Sequence, residues 1–141
     1  LDNARNILVN APFPAEETER CFHKMFSDTV AEQLLIYFVF TYFCGAVYNG
    51  NAYGKIKFSV AGMILIRELT CADWLASGGM ETAVTEEDAS NTDESAHISR
   101  IIKTSCRYSR EVEHSDYNKT TMEHLLGNEN IFGLEDFFSL L

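Results

Sequence analysis

Proline is nearly absent from this chain: the 141 residues hold two, Pro12 and Pro14, both near the start. Proline removes a backbone N–H and breaks helices, so from Ala15 onward no residue forbids helix. Basic residues are scarce as well, with 11 Lys and Arg against 21 Asp and Glu and a net charge of −10. That balance excludes nucleic acid as a partner, which would need a basic face. Acidity chiefly maintains solubility, and it permits attraction to a lysine-bearing partner. Paired cysteines are missing too. Cys21, Cys44, Cys71 and Cys106 stand far apart with no C-x-x-C spacing, which excludes a zinc or cluster site of the usual kind. Each lies in an apolar helical pattern, where a free thiol acts as a small hydrophobe, so four core cysteines and a reducing, cytoplasmic compartment are expected.

Long apolar runs are short of a membrane span. Residues 34–48 carry no charge but number fifteen, where a spanning helix needs roughly 20, so a buried core helix and no membrane partner are expected. No secretory leader is visible. His23, His97, His114 and His124 show no H-E-x-x-H spacing, and no glycine-rich strand-to-helix turn appears. A metallohydrolase and a doubly wound nucleotide fold are therefore not expected.

What is present is apolar and helical. Apolar residues make up 46% and aromatics 12%, enough for a globular core. The pattern predicts an all-α bundle of about five to six helices in a single domain, residues 1–141. A short amphipathic segment at 2–10 is followed by a helix from Ala15 with Cys21, Phe22, Met25 and Phe26 on one side. After the Ser27-Asp28-Thr29 cap, a helix apolar all round runs to Tyr48, and it is expected at the centre of the bundle, surrounded by the others. Gly50 suits its left-handed end. The next helix spans about 53–77, with Phe58, Ala61, Gly62, Leu65, Leu69, Ala72 and Ala76 lining one face. Arg67, in apolar company on that helix, needs a partner such as Glu32 or a binding role. Residues 80–96 form an acidic loop, while 91–95 also read as the N-cap and acidic first turn of the following helix. Two short elements, 120–127 and 134–141, close the chain.

The helix following that loop holds the most charged motif, "CRYSREVEHSDYN" at 106–118. On a wheel of about 100° per residue, Ile98, Ile101, Ile102, Ser105, Tyr108, Ser109 and Val112 share one side. Arg107, Arg110, Glu111 and His114 gather opposite, with Glu113 at the flank of the apolar stripe. Spacings of three and four allow ion pairs within a solvated face. A flank carboxylate beside an imidazole can also orient a titrating group, but no third group completes a catalytic set, and no catalytic residue is identified.

The stretch "IIKTSCRYSREVEHS" resembles the S-R-x-x-E-H signature of bacterial flagellin lysine N-methylases. Upstream, residues 31–79 are similar in pattern to the central stretch of those proteins. Together the likeness covers about 30–118. It implies a C-terminal helical region of a protein that transfers methyl groups from S-adenosylmethionine to lysine side chains of flagellin. The family also implies an iron–sulfur centre in a cysteine-rich N-terminal region. No such cysteine cluster occurs here and Leu1 is not Met, so a C-terminal fragment binding neither cofactor is expected. Arg110, Glu113 and His114 match the signature. With Arg67 and Arg107 they are the expected binding or interdomain contacts, facing the missing N-terminal region or the flagellin substrate. The alternative is a non-enzymatic ligand-binding or dimerisation module of a bacterial regulator, in which Tyr37, Phe38, Phe40, Tyr42 and Phe43 would line an apolar pocket.

Overall fold

The computed structural model describes residues 15–79, 92–128 and 133, and every regular element among them is helical. In chain order these are α1 (Ala15–Met25), α2 (Asp28–Phe43), the single turn α3 (Ala46–Asn49), α4 (Ala52–Ala76), α5 (Thr92–Tyr108), a π-helical turn (Ser109–Glu113) and α6 (Asp116–Leu126). The all-α bundle expected from the scarcity of proline is what forms. The segments expected at 2–10 and 134–141 lie outside the described residues, as do positions 80–91 of the acidic loop. Positions 92–96, assigned above to that loop, are the opening of α5 instead.

Local chemistry sets the boundaries. Ser27 is the extended N-cap residue of α2, although its side chain makes no capping hydrogen bond. The expected single helix to Tyr48 is divided at Cys44–Gly45, and Gly50 ends α3 at a left-handed φ of 69°. Asn51 caps α4 by accepting the Gly54 N–H at 2.9 Å. Ser115 caps α6 by accepting the Asn118 N–H at 3.3 Å.

The middle of the bundle is α4, and this corrects the expectation that the aromatic-rich α2 would be surrounded. Helix α4 packs on α2, α5 and α6, whereas α2 packs chiefly on α4. One neighbour covers one face, so only Phe38 and Tyr42 of α2 are buried, and Ile36, Phe40 and Phe43 stay exposed. The core stripe of α4 also differs from the expected one. Phe58, Ala61 and Gly62 are buried, but the stripe continues through Ile66, Thr70 and Trp74, leaving Leu65 and Leu69 exposed. A helix apolar on most sides cannot choose its face by periodicity. Here α1 chooses it, setting Phe22 against Trp74 with ring centroids 5.8 Å apart.

Buried polar groups on α4 find partners. Ser59 and Thr70 donate to the carbonyls of Lys55 and Ile66 in their own helix. Lys55 pairs with Glu123 of α6, and Lys57 Nζ donates to the Leu126 carbonyl at 3.3 Å while lying over the Tyr53 ring. Two lysines thus tie α6 to α4. Of the four cysteines only Cys71 is in the core, its thiol pushed up to about 12 by burial. Cys21 is half-buried, while Cys44, in the turn after α2, and Cys106, on the outer face of α5, are exposed. Counted from residue 28 rather than 34, the stretch Asp28–Tyr48 reaches 21 residues and holds an 18-residue window of mean hydropathy 1.6, long and apolar enough to cross a membrane by length and composition. The Cys44–Gly45 turn interrupts it.

Candidate functional site

Helix α5 buries Ile101, Thr104 and Tyr108, a narrower stripe than the wheel predicts, since Ile98 and Ile102 are exposed. At its end the backbone changes register. The His114 N–H donates to the Ser109 carbonyl, five residues back, at 3.0 Å. One extra residue in the turn brings Glu113 over Tyr108, the place that Val112 would hold in an uninterrupted α-helix. The side chain that sequence puts at the flank therefore faces α2.

There Tyr42 donates its hydroxyl to Glu113 Oε1 at 2.5 Å, and Tyr37 reaches the same oxygen at a long 3.4 Å. Among the described residues Glu113 Oε2 has no hydrogen-bond or ion-pair partner. Beneath lies Tyr108, buried, its hydroxyl without a partner and pressed towards Gly62, where a Cβ would come within 2.8 Å of that oxygen. Phe38 meets Tyr108 edge-on at 5.5 Å, and Tyr42 meets Phe58 edge-on at 4.7 Å, so the phenols are held by ring packing. Lys119 of α6 sets its ammonium 5.2 Å from the centre of the Tyr42 ring. Burial, then the hydrogen bond and charge of Glu113, hold the Tyr42 phenol well above its ordinary range. Burial and the Glu113 charge do the same to Tyr108 and, with the site open on that side, to Tyr37. All three phenols remain neutral near pH 7, and Tyr42 and Tyr37 donate to the one carboxylate.

The other sequence-predicted site residues lie apart from this cluster. Arg107, Arg110 and His114 are exposed, and among the described residues no ion pair joins them to Glu111 or Glu113. Arg67 binds Glu19 of α1 and Glu68, the latter at 2.5 Å, and its guanidinium lies over the Phe22 ring. Its carboxylate partners are thus not Glu32, and its visible work is to pin α1 onto α4. Sequence reading does not single out Tyr108 or Lys119 as site residues, and it names Tyr37 and Tyr42 only as the lining of an apolar pocket in the alternative reading. The available signal was chemical: a phenol in place of phenylalanine in an apolar run demands a polar partner when buried.

The description of one protein family fits this fold and motif together: a family model for the FliB lysine N-methylase C-terminal domain matches residues 15–140. The chain belongs to that family. No match was found among the curated proteins or the solved structures compared with it. No group of three or more His, Cys, Asp and Glu side chains that could hold a metal ion converges among the described residues. The scattered cysteines, one buried and two exposed, do not fit the thiolate set that an iron–sulfur centre needs. The described residues likewise form no strand-to-helix turn that would cradle a nucleotide in the doubly wound manner.

Proposed function

We propose that this domain is the substrate-contacting and scaffolding part of a protein that methylates lysine side chains of flagellin, with S-adenosylmethionine as donor. The observation that carries the reading is the family match over residues 15–140, whose description specifies lysine N-methylation. Flagellin and the methyl donor follow from the motif resemblance at 101–115. The domain alone is inactive, and the donor site and any iron–sulfur centre belong to the N-terminal region of the whole protein. The cytoplasm, where the donor is made, is the compartment this chemistry requires; two exposed free thiols suit its reducing conditions.

The N-terminal region is the occupant we assign to the uncovered face of α2 and α3. Phe40, Val47 and Tyr48 are 75%, 84% and 92% exposed there, an apolar patch of the kind that marks a protein contact. Arg107, Arg110 and His114, exposed and without ion pairs among the described residues, offer it a polar docking edge.

The test is to incubate the full-length protein with flagellin and isotopically labelled S-adenosylmethionine and to map the label by mass spectrometry. Label on flagellin lysines supports the reading; none, in the presence of a folded and donor-loaded protein, overturns it. A pull-down with the separate N-terminal region then compares the parent chain with Arg110→Ala/His114→Ala and Phe40→Ser/Tyr48→Ser. Weaker capture by either pair is expected. Undiminished capture by both, or self-association or vesicle binding through the same patch, would reject the assigned occupant.

A further inference from the structure

We infer that Glu113, flanked by Tyr37 and Tyr42, binds the ammonium group of an incoming lysine side chain, methylated or not. The inference rests on the lysine-methylase reading for the identity of the ligand, but the site itself rests on geometry. Glu113 is a half-buried carboxylate with no cation partner among the described residues, although Arg107, Arg110 and His114 stand within a few positions of it. The π-helical turn rotates Glu113 inward and leaves those cations outside. Both phenols donate to Oε1, so one oxygen is held in place and the other is left open. Tyr37 is 51% exposed, which puts the open side in reach of solvent and of a partner.

The chemistry of the pocket selects the ligand. An anion would be repelled by the carboxylate, and the Lys119 ammonium beside the cluster is already engaged over the Tyr42 ring. A metal ion would need further carboxylate, imidazole or thiolate donors, and no such group converges among the described residues. An alkylammonium fits both parts of the site: its N–H groups make charge-assisted bonds to the open oxygen, and its charge is attracted to the aromatic faces. The structure already contains that contact in internal form, because the Lys119 ammonium lies over Tyr42 rather than on Glu113. Tyr108, buried with an unpartnered hydroxyl under the cluster, adds a further oxygen dipole to a region built around a positive guest. Methylation removes N–H donors but keeps the charge, so the aromatic side of the site accepts both substrate and product.

The test uses the whole chain and a short unstructured peptide carrying lysine, Nε-methyllysine or the uncharged isostere norleucine at one position. Binding is followed by NMR shifts of the Tyr37 and Tyr42 rings. Lysine and methyllysine peptides are expected to bind and the norleucine peptide to lose about tenfold or more. Glu113→Gln, which still accepts from Tyr42, should erase that preference while its melting curve stays cooperative. Tyr37→Phe, at the open edge, is the second variant and should weaken binding by a smaller factor. Equal affinity for norleucine, or an unchanged lysine preference in Glu113→Gln, overturns the site. In the full-length protein, Glu113→Gln should raise the KM for flagellin more than it lowers kcat. If methylation proceeds with KM unchanged, the lysine site is wrong and the methylase reading stands. If nothing is methylated but the chain selects lysine through Glu113, the methylase reading falls and the ammonium site survives.

Discussion

The Tyr42 hydroxyl and the Glu113 carboxylate, 71 residues apart in sequence, meet at 2.5 Å across α2 and the π-helical turn. With the longer Tyr37 bond to the same oxygen and the Phe38–Tyr108 ring contact, it ties α2 to the end of α5. Tyr42→Phe removes the donor and leaves a half-buried carboxylate short of its best partner. A loss of about 1.5–3 kcal/mol is expected, the range for a hydrogen bond to a charged group. Urea unfolding of Tyr42→Phe, Glu113→Gln and the double variant measures it, and additive losses would show that the two groups do not interact.

Gly62 sits under Tyr108, and an added Cβ would lie 2.8 Å from the phenol oxygen and 3.2 Å from Phe38. Gly62→Ala should therefore destabilise by about 1–3 kcal/mol through overpacking. Tyr108→Phe removes an unpartnered buried hydroxyl and should be neutral or slightly stabilising. Combined, the second change should rescue most of the first. Absence of rescue in thermal melts would mean that Phe38, not Tyr108, sets the clash.

Two ion pairs on α4 should differ in weight. Lys55 is buried and depends on Glu123, whose side chain keeps 28% exposure, so Glu123→Ala should cost up to about 3 kcal/mol, the low end for breaking a buried pair. Arg100 and Asp73 pair at the surface, and Arg100→Ala should cost under about 1 kcal/mol. Denaturant midpoints that rank the two variants in the opposite order would contradict the burial argument.

Alkali should unfold the chain by a defined route. Burial raises Cys71 from its ordinary 9.0 to about 12, and burial with Glu113 raises Tyr42 and Tyr108 above their ordinary 10.0. The folded chain then holds protons that the unfolded chain has released. The stability linked to them is complete below the ordinary values and is lost as pH rises towards the folded ones. Each group subtracts up to about 1.4 kcal/mol per pH unit in that window. Stability by urea titration should decline from about pH 9 upward. Cys71→Ala should delay the onset, and Tyr42→Phe should flatten the slope above about pH 10. A wild-type profile level to pH 11 would refute the assignment.

The thiols should separate by exposure. Cys44 and Cys106 should react rapidly with a disulfide reagent in the folded chain, while Cys71 waits for unfolding. Mass-mapped labelling that finds Cys71 modified early would place α4 outside the core.

Much of this was legible in the sequence because it depends on neighbours along the chain. The absence of proline after Ala15 permitted helices throughout, Gly50 marked a helix end, and Ser27 marked a helix start. The stretch at 101–115 carried the family resemblance. Periodicity failed where helices were apolar on most sides: it could not say that α4 rather than α2 occupies the middle, or that Ile66 and Trp74 rather than Leu65 and Leu69 face inward. Which face is buried depends on which helix arrives there, and that is information about distant residues.

The candidate site divides in the same way. Sequence alone determined that Arg107, Arg110 and His114 form a charged outer edge and that Glu113 sits at its margin. Only the tertiary structure decided that Glu113 turns inward, because one extra residue in the π-helical turn moves it over Tyr108 and within reach of Tyr42. A wheel drawn at constant pitch cannot contain that rotation. Packing against α2 gives the turned carboxylate its partner, a buried phenol that needs an acceptor.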